Sequence, residues 1–174
     1  MLIGLKRGLL QLVPYSAEWD LFFDREKQKI MKNIGRYVLT VEHIGSTSIK
    51  NMYAKPIIDI AIGLQEFDIG FKCLEPLKTM GYLFLGEYGI KKRHFFRTDS
   101  DIVKCHIHMY DISNQEYQNH ILFRDYLREH EKEAKEYAEL KKNLLLVCGN
   151  DREKYTKAKA EFIDDILKKA KESN

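Results

Sequence analysis

The chain reads as an α/β domain of the α+β or mixed-sheet kind, in which helix and strand patterns alternate early and only helix patterns follow. Three features carry that reading. The run Ile57-Ile58-Asp59-Ile60-Ala61-Ile62 has the alternation and β-branching of a strand. Asp99-Ser100-Asp101 joins two strand-like runs as a hairpin, which makes neighbours antiparallel and excludes a purely parallel sheet. After Asp111 every periodicity is helical. The expectation is one domain over residues 1–174, with a sheet-bearing part over about 14–111 and a helical tail over about 113–172 packed on it.

Each element has a local cause. Pro14 and Ser16 precede a stretch where Trp19, Phe22, Phe23, Glu26, Ile30 and Ile34 recur at three- and four-residue spacing, which predicts a helix. Ser16 is placed to cap it and Gly35 to end it. Residues 37–44 are rich in β-formers and read as the first strand. The turn Gly45-Ser46-Thr47-Ser48 leads through a short connector to Pro56 and a second strand over 57–64. On that strand Ile58, Ile60 and Ile62 share one face, and Ile57, Asp59 and Ala61 the other. Asp68 can cap a third element with Phe71, Leu74, Leu77 and Met80 on one side and Gly81 at its end. Residues 82–85, 94–98 and 102–110 read as three more strands.

In the tail, Ser113 with Glu116 makes a capping box for a helix bearing Tyr117, Ile121, Tyr126 and Leu127. A second helix runs from about Lys132 to Val147 and ends at Gly149. Asn150 with Glu153 opens a last one containing Tyr155, Phe162, Ile163, Ile166 and Leu167.

Composition narrows the function classes. With 44% hydrophobic and 32% charged residues, and only 3 prolines, the 174-residue chain is an ordinary globular domain rather than a disordered one. A net charge of +3 is too small to argue for nucleic acid, and no aromatic–basic interleaving supports RNA binding. No run approaches the roughly 18 apolar residues of a membrane span. Residues 1–12 lack the unbroken apolar core and small-residue cleavage site of a secretion signal. Cys73, Cys105 and Cys148 are odd in number, widely spaced and set among apolar neighbours, which predicts reduced buried thiols and a cytoplasmic setting.

Several residues stand out chemically. A Gly-Ser turn lets backbone N–H groups approach a phosphate, and Thr47 and Ser48 extend the turn with two further hydroxyls. The plain alternative is a structural turn after a strand. Asp59, flanked by Ile57, Ile58, Ile60 and Ala61, would cost several kcal/mol if buried alone. It therefore needs a cation, a hydrogen-bond donor or solvent; the competing partner is Lys55 or an arginine from the tail. His106 and His108 are two apart on one strand, so both rings point to one side and can share a metal or bind phosphate when protonated. His120, Arg124 and Arg128 form a basic stripe at i, i+4 and i+8 on the first tail helix, which is also the pattern of a solvated face. Lys91-Lys92-Arg93-His94 is a basic cluster before a strand, suited to a loop over a phosphate site.

Taken together, Glu42-His43-Ile44-Gly45-Ser46-Thr47-Ser48, Ala54-Lys55-Pro56-Ile57-Ile58-Asp59-Ile60 and His106-Ile107-His108 resemble the signature of the GrpB family. So do the run from His120 to Arg128, Tyr137, Leu140-Lys141, and Tyr155 with Lys159. The resemblance implies a nucleotidyltransferase-like fold, a mixed sheet with helices packed on it, and some members of that family are fused to a dephospho-coenzyme A kinase domain. Active nucleotidyltransferases carry a Gly-Ser turn, an acid–x–acid pair on the next strand and a third acid on a neighbouring strand. Here Gly45-Ser46 and Asp59 match, Ala61 stands where the second acid belongs, and His106 or His108 lies near the third position. A lone carboxylate does not hold two Mg²⁺ in the usual way.

The reading is a cytoplasmic protein that binds a nucleotide or another phosphate-bearing small molecule. Gly45, Ser46, Thr47 and Ser48 would cradle phosphate, with Lys55, Arg93 and Arg124 neutralising charge. Asp59, His106 and His108 would hold a divalent cation or act in catalysis, a donor set that favours Mn²⁺ or Zn²⁺ over Mg²⁺. Metal-assisted nucleotidyl or phosphoryl transfer is the natural reaction class. The alternative is a non-catalytic ligand-sensing or protein-interaction module that keeps the fold without the second acid.

Overall fold

The computed structural model describes residues 3–173. Met1, Leu2 and Asn174, at the two ends of the domain and of the N-terminal segment read above, lie outside the described residues. The elements in chain order are β1 (Leu5–Lys6), α1 (Glu18–Ile34), β2 (Thr40–Ile44), β3 (Ile58–Leu64), α2 (Leu74–Thr79), β4 (Tyr82–Phe84), β5 (His94–Thr98), β6 (Ile102–Val103), β7 (Cys105–Asp111), α3 (Gln115–Glu129), α4 (Glu131–Cys148), α5 (Arg152–Ala158) and α6 (Ala160–Glu172).

The main sheet has the order β2-β3-β7-β5-β4. Strand β3 pairs with β2 antiparallel and with β7 parallel, and β5 runs antiparallel to both β7 and β4, so the sheet is mixed. Because side chains alternate across each strand, the register sorts the sheet into two chemically different faces. One face carries Ile58, Ile60, Ile62, Ile107 and Met109, all buried against Trp19, Ile30 and Ile34 of α1 and Leu77 of α2. The other carries Asp59 opposite His106 and Ala61 opposite His108, and this face receives the helical tail.

The tail docks through both apolar and polar contacts. Tyr117 of α3 packs with Ile44, Ala61 and Tyr110, while Leu127, Tyr137, Ala138 and Ile166 gather Ile49 and Met52 from the segment after β2. Arg124 is buried and reaches across to the sheet edge, donating from Nη1 to Glu42 Oε2 at 2.7 Å and to the His43 carbonyl at 3.1 Å. Its Nε and Nη2 donate to Asp125.

The boundaries differ from the sequence reading at the caps. Helix α1 starts after Ala17, and the Ser16 hydroxyl accepts only from the Glu18 amide, at 3.3 Å. Gly35 keeps a right-handed conformation and leads into a 3₁₀ turn over Gly35–Tyr37, which delays the first main-sheet strand to Thr40. Asp68 lies within a 3₁₀ segment, Phe67–Cys73, whose cap is Glu66, and only Leu74–Thr79 is α-helical. Asn114, not Ser113, caps α3 by accepting from the Glu116 amide; the Ser113 hydroxyl is drawn off to Asp111. Asp151, not Asn150, caps α5, because the Asn150 carboxamide oxygen accepts instead from the Leu10 amide 140 residues away. The last helix is broken at Lys159 into α5 and α6. Strand 102–110 is likewise split, since Ile102–Val103 leaves the main sheet to pair with β1, an element with no sequence signal.

Removing the Arg124 guanidinium leaves Glu42 and the His43 carbonyl without their donor. Arg124→Met is expected to lower stability by about 2–4 kcal/mol in urea denaturation. A loss below about 1 kcal/mol would show that the apolar contacts alone seat the tail.

Candidate functional site

The site grows from the turn between β2 and β3. The backbone leaves β2 at Gly45 with φ +69°, a left-handed conformation that glycine adopts without strain, and then makes a 3₁₀ turn over Ser46–Ser48. Glycine is required twice over here. A methyl group at Gly45 would lie 2.8 Å from Asp59 Oδ2, inside van der Waals contact, so the turn can approach the carboxylate only because Gly45 has no side chain. Antiparallel pairing of Ile44 with Asp59, and parallel pairing of Asp59 with His106, bring the turn, the acid and the imidazole side by side.

Asp59 is half-buried and meets both histidines: His106 Nδ1 is 3.1 Å and His108 Nε2 3.4 Å from Oδ1. The three donor atoms lie within 4.8 Å of one another, close enough for one cation to touch all of them. Desolvation pushes the Asp59 carboxyl up, but the hydrogen bonds from His106 and His108 outweigh it and hold the group well below the ordinary carboxylate range. Arg93 Nη1 lies 3.3 Å from Nδ1 of His108. A guanidinium only donates, so Nδ1 accepts and Nε2 keeps the proton it directs at Asp59. His108 is thus a donor to the carboxylate as it stands, and each imidazole must give up the proton it directs at Asp59 before that nitrogen can ligate a cation. Burial also lowers the His108 pKa, in keeping with a neutral ring.

A cavity of about 180 Å³ opens beside Asp59, lined by Leu12, Gly45, Ser46, Thr47, Ala54, Lys55, Ile57, Asp59, His106, Tyr137, Lys141, Tyr155 and Lys159. Its walls carry three lysine side chains and one carboxylate. Lys141, buried on α4, donates to Ser46 Oγ at 2.9 Å and to the Tyr53 carbonyl, and lies over the Tyr137 ring at 4.6 Å. Lys159, at the α5–α6 break, lies 4.6 Å from the Tyr155 ring, and Lys55 lies 5.8 Å from that same ring. Burial and the repulsion of Lys159 and Lys55 hold Lys141 well below the usual ammonium range. Burial, then Lys55, brings Lys159 down to about 8.

The other expected residues have different duties. The Thr47 hydroxyl is 3.0 Å from His43 Nε2, and the Ser48 hydroxyl donates to the Gly45 carbonyl at 2.6 Å, so Ser48 braces the turn and faces away from the cavity. His43 is buried, stacked on Phe23 and close to Asp20; burial lowers its pKa to about 4 despite that carboxylate. Arg93 is held by the carbonyls of Glu87 and Tyr88 on the far side of His108, and Arg124 is the tail clamp described above. Neither arginine lines the cavity. His120 is covered beside Tyr110, whereas Arg128, at the exposed end of the stripe, donates to the Ser48 carbonyl, so only the first two members of the basic stripe of α3 turn inward. Sequence reasoning missed Lys141, Lys159, Tyr137 and Tyr155 as cavity residues. Their signal was present as two Tyr-x-x-x-Lys pairs, 137/141 and 155/159, each of which stacks its ammonium on its own ring. A larger groove of about 930 Å³ runs along α3 and α4 past Ile49 and Met52, but the acid and imidazole cluster is not in it.

The mixed sheet and the helices packed on it form a nucleotidyltransferase-like fold. The fold matches that of the Cid1 poly(U) polymerase in its MgGTP-bound crystal structure with a TM-score of 0.51, at 13% identity over 76% of this chain and 44% of that one. A family model described as "GrpB protein" matches residues 9–169, and the chain belongs to the GrpB family. The crystal structure of the conserved protein GrpB from Enterococcus faecalis superposes with a TM-score of 0.86, at 35% identity over 92% of this chain and 96% of that one. The UPF0157 protein YqkA of Bacillus subtilis is 38% identical over 162 residues, 93% of this chain but 47% of YqkA, so the chain spans about half the length of that relative.

Two outcomes follow from the geometry. Gly45→Ala is expected to destabilise by about 1–3 kcal/mol and to shift the His106 and His108 imidazole resonances, since its methyl must displace the Asp59 carboxylate; unchanged resonances would refute the close approach. Lys159 has a folded pKa near 8 against an ordinary 10.5, so between those values the unfolded chain holds a proton that the folded chain has released. Stability should therefore rise with pH across that window, and the rise should shrink in Lys159→Gln when the two proteins' urea midpoints are compared from pH 7 to 11.

Proposed function

We propose that this chain binds a nucleotide or another phosphate-bearing small molecule together with one divalent cation at Asp59. The observation that carries the reading is the meeting of a Gly-Ser turn, a lone ionised carboxylate and an imidazole in one positively walled cavity. Anions and hard cations are the complementary guests of such walls. Asp59 and His106 would hold the cation, with His108 as donor to the carboxylate or third ligand, and a mixed N,O set suits Mn²⁺ or Zn²⁺ better than Mg²⁺. A bound cation would polarise a phosphoryl oxygen, and nucleotidyl or phosphoryl transfer is the reaction class that fits. The Cid1 structure holds MgGTP on the same fold, which supports a nucleotide without naming one.

Cys73, Cys105 and Cys148 are buried free thiols, which supports a reducing, cytoplasmic setting. No helix among the described residues is long and apolar enough to cross a membrane.

One observation favours a second reading. Ala61, at the place of the second acid, is fully buried beneath Ile44, Tyr110 and Tyr117, so no second cation can reach that position. That suits a ligand-sensing module that binds without turnover. Calorimetry with ATP and Mn²⁺ tests the site itself: Asp59→Asn is expected to weaken metal-dependent binding by more than about tenfold. Indifference to the substitution would sink the proposal. Release of pyrophosphate or phosphate from the bound nucleotide would then decide for transfer over sensing.

A further inference from the structure

We propose that Lys55, Lys141 and Lys159 stand in for a second metal ion, so that the cavity grips the phosphate tail of a polyphosphate ester through three clustered lysines and does not read the rest of the ligand. The inference rests on the reading above that a phosphate-bearing ligand enters this cavity.

Four observations support it. The lysines come from three separate elements, the segment before β3, helix α4 and the α5–α6 break, yet all line one cavity of about 180 Å³. Among the described residues none of them has a carboxylate within ion-pair distance; Asp59, the acid they share, already accepts from two imidazoles. Clustered ammonium groups withdrawn from water are costly without a counter-charge, so a polyanion gains most by entering. Lys141 is 2% exposed, and two of its three N–H groups go to Ser46 Oγ and the Tyr53 carbonyl. Those bonds fix its position over the Tyr137 ring, and a polyanion beside it favours the protonated amine, whose third N–H is then free for the ligand. The place where a second cation would need its acid is occupied by buried Ala61.

Size then limits what is read. Pockets that enclose a whole drug-sized ligand run to about 300–1,000 Å³, whereas this one holds only a fraction of that volume. It has room for a chain of phosphates, and the sugar and base must lie outside. The charge of the tail, not the identity of the base, therefore sets affinity.

Calorimetry with inorganic triphosphate, ATP, GTP and CTP, each in EDTA and with Mn²⁺, tests this. Inorganic triphosphate should bind in EDTA, the three nucleotides should agree within about threefold, and Lys55→Gln and Lys159→Gln should each weaken binding by about tenfold or more, as expected for losing a charged hydrogen bond. Both lysines are partly exposed, and thermal melts of the variants confirm folding before titration. Binding that vanishes in EDTA yet returns with Mn²⁺ overturns the lysine role and leaves the cation site standing. A preference above about thirtyfold for one base, or lysine variants that bind like wild type, overturns it as well. If no phosphate compound binds under either condition, the proposed function falls with it.

Discussion

A charged oxygen on the inner part of a β-sheet constrains everything around it. Asp59 is flanked on its strand by residues that want to be dry, yet its carboxylate stays ionised. It can do so because the parallel register sets His106 directly opposite, His108 one step along, and the side-chain-free backbone of Gly45 on the other flank. Shift β7 by one residue and both imidazoles would turn to the Ile60 face, leaving the acid unpartnered. The pairing that builds the sheet and the pairing that builds the site are thus one arrangement.

The two faces of the sheet divide the labour. One is sealed by α1 and α2 around Trp19, Ile30 and Leu77, and supplies stability without chemistry. The other is shared: Tyr117 covers Ala61, while farther along the strand the face stays open at Asp59. Closing the first region leaves Ala61 without access to solvent, and leaving the second open defines a small cavity lined by three lysines. The tail is part of the site's wall as well as its lid over the core. Lys141 ties α4 to both the Ser46 hydroxyl and the Tyr53 carbonyl, and so holds the two ends of the turn segment together.

Much of this was legible locally. The alternation over 57–64 and the i, i+2 spacing of His106 and His108 require only the two-residue period of a strand, and both groups end on the predicted side. The cap residues failed for a shared reason. Adjacent polar residues, Ser113 and Asn114, or Asn150 and Asp151, can each cap a helix, and the choice was made by contacts distant in sequence, as when Asn150 is taken by Leu10. Arg124 illustrates the same limit on a larger scale. A basic stripe looks solvated from periodicity alone, and only docking against Glu42 turns its middle member, Arg124, inward. Lys141, Lys159 and their tyrosines were hidden because no short-range pattern states which helix face meets which strand.

The position of Tyr155 and Lys159 in the chain has a consequence for synthesis. Every strand of the main sheet leaves the ribosome before them, so the acid, the turn and the imidazoles can assemble while the cavity still lacks a wall. A nascent chain at that stage would expose its carboxylate to water and offer two lysines in place of three. The cavity is complete only when the last two helices arrive, so its full lining is a property of the finished domain and not of the sheet alone.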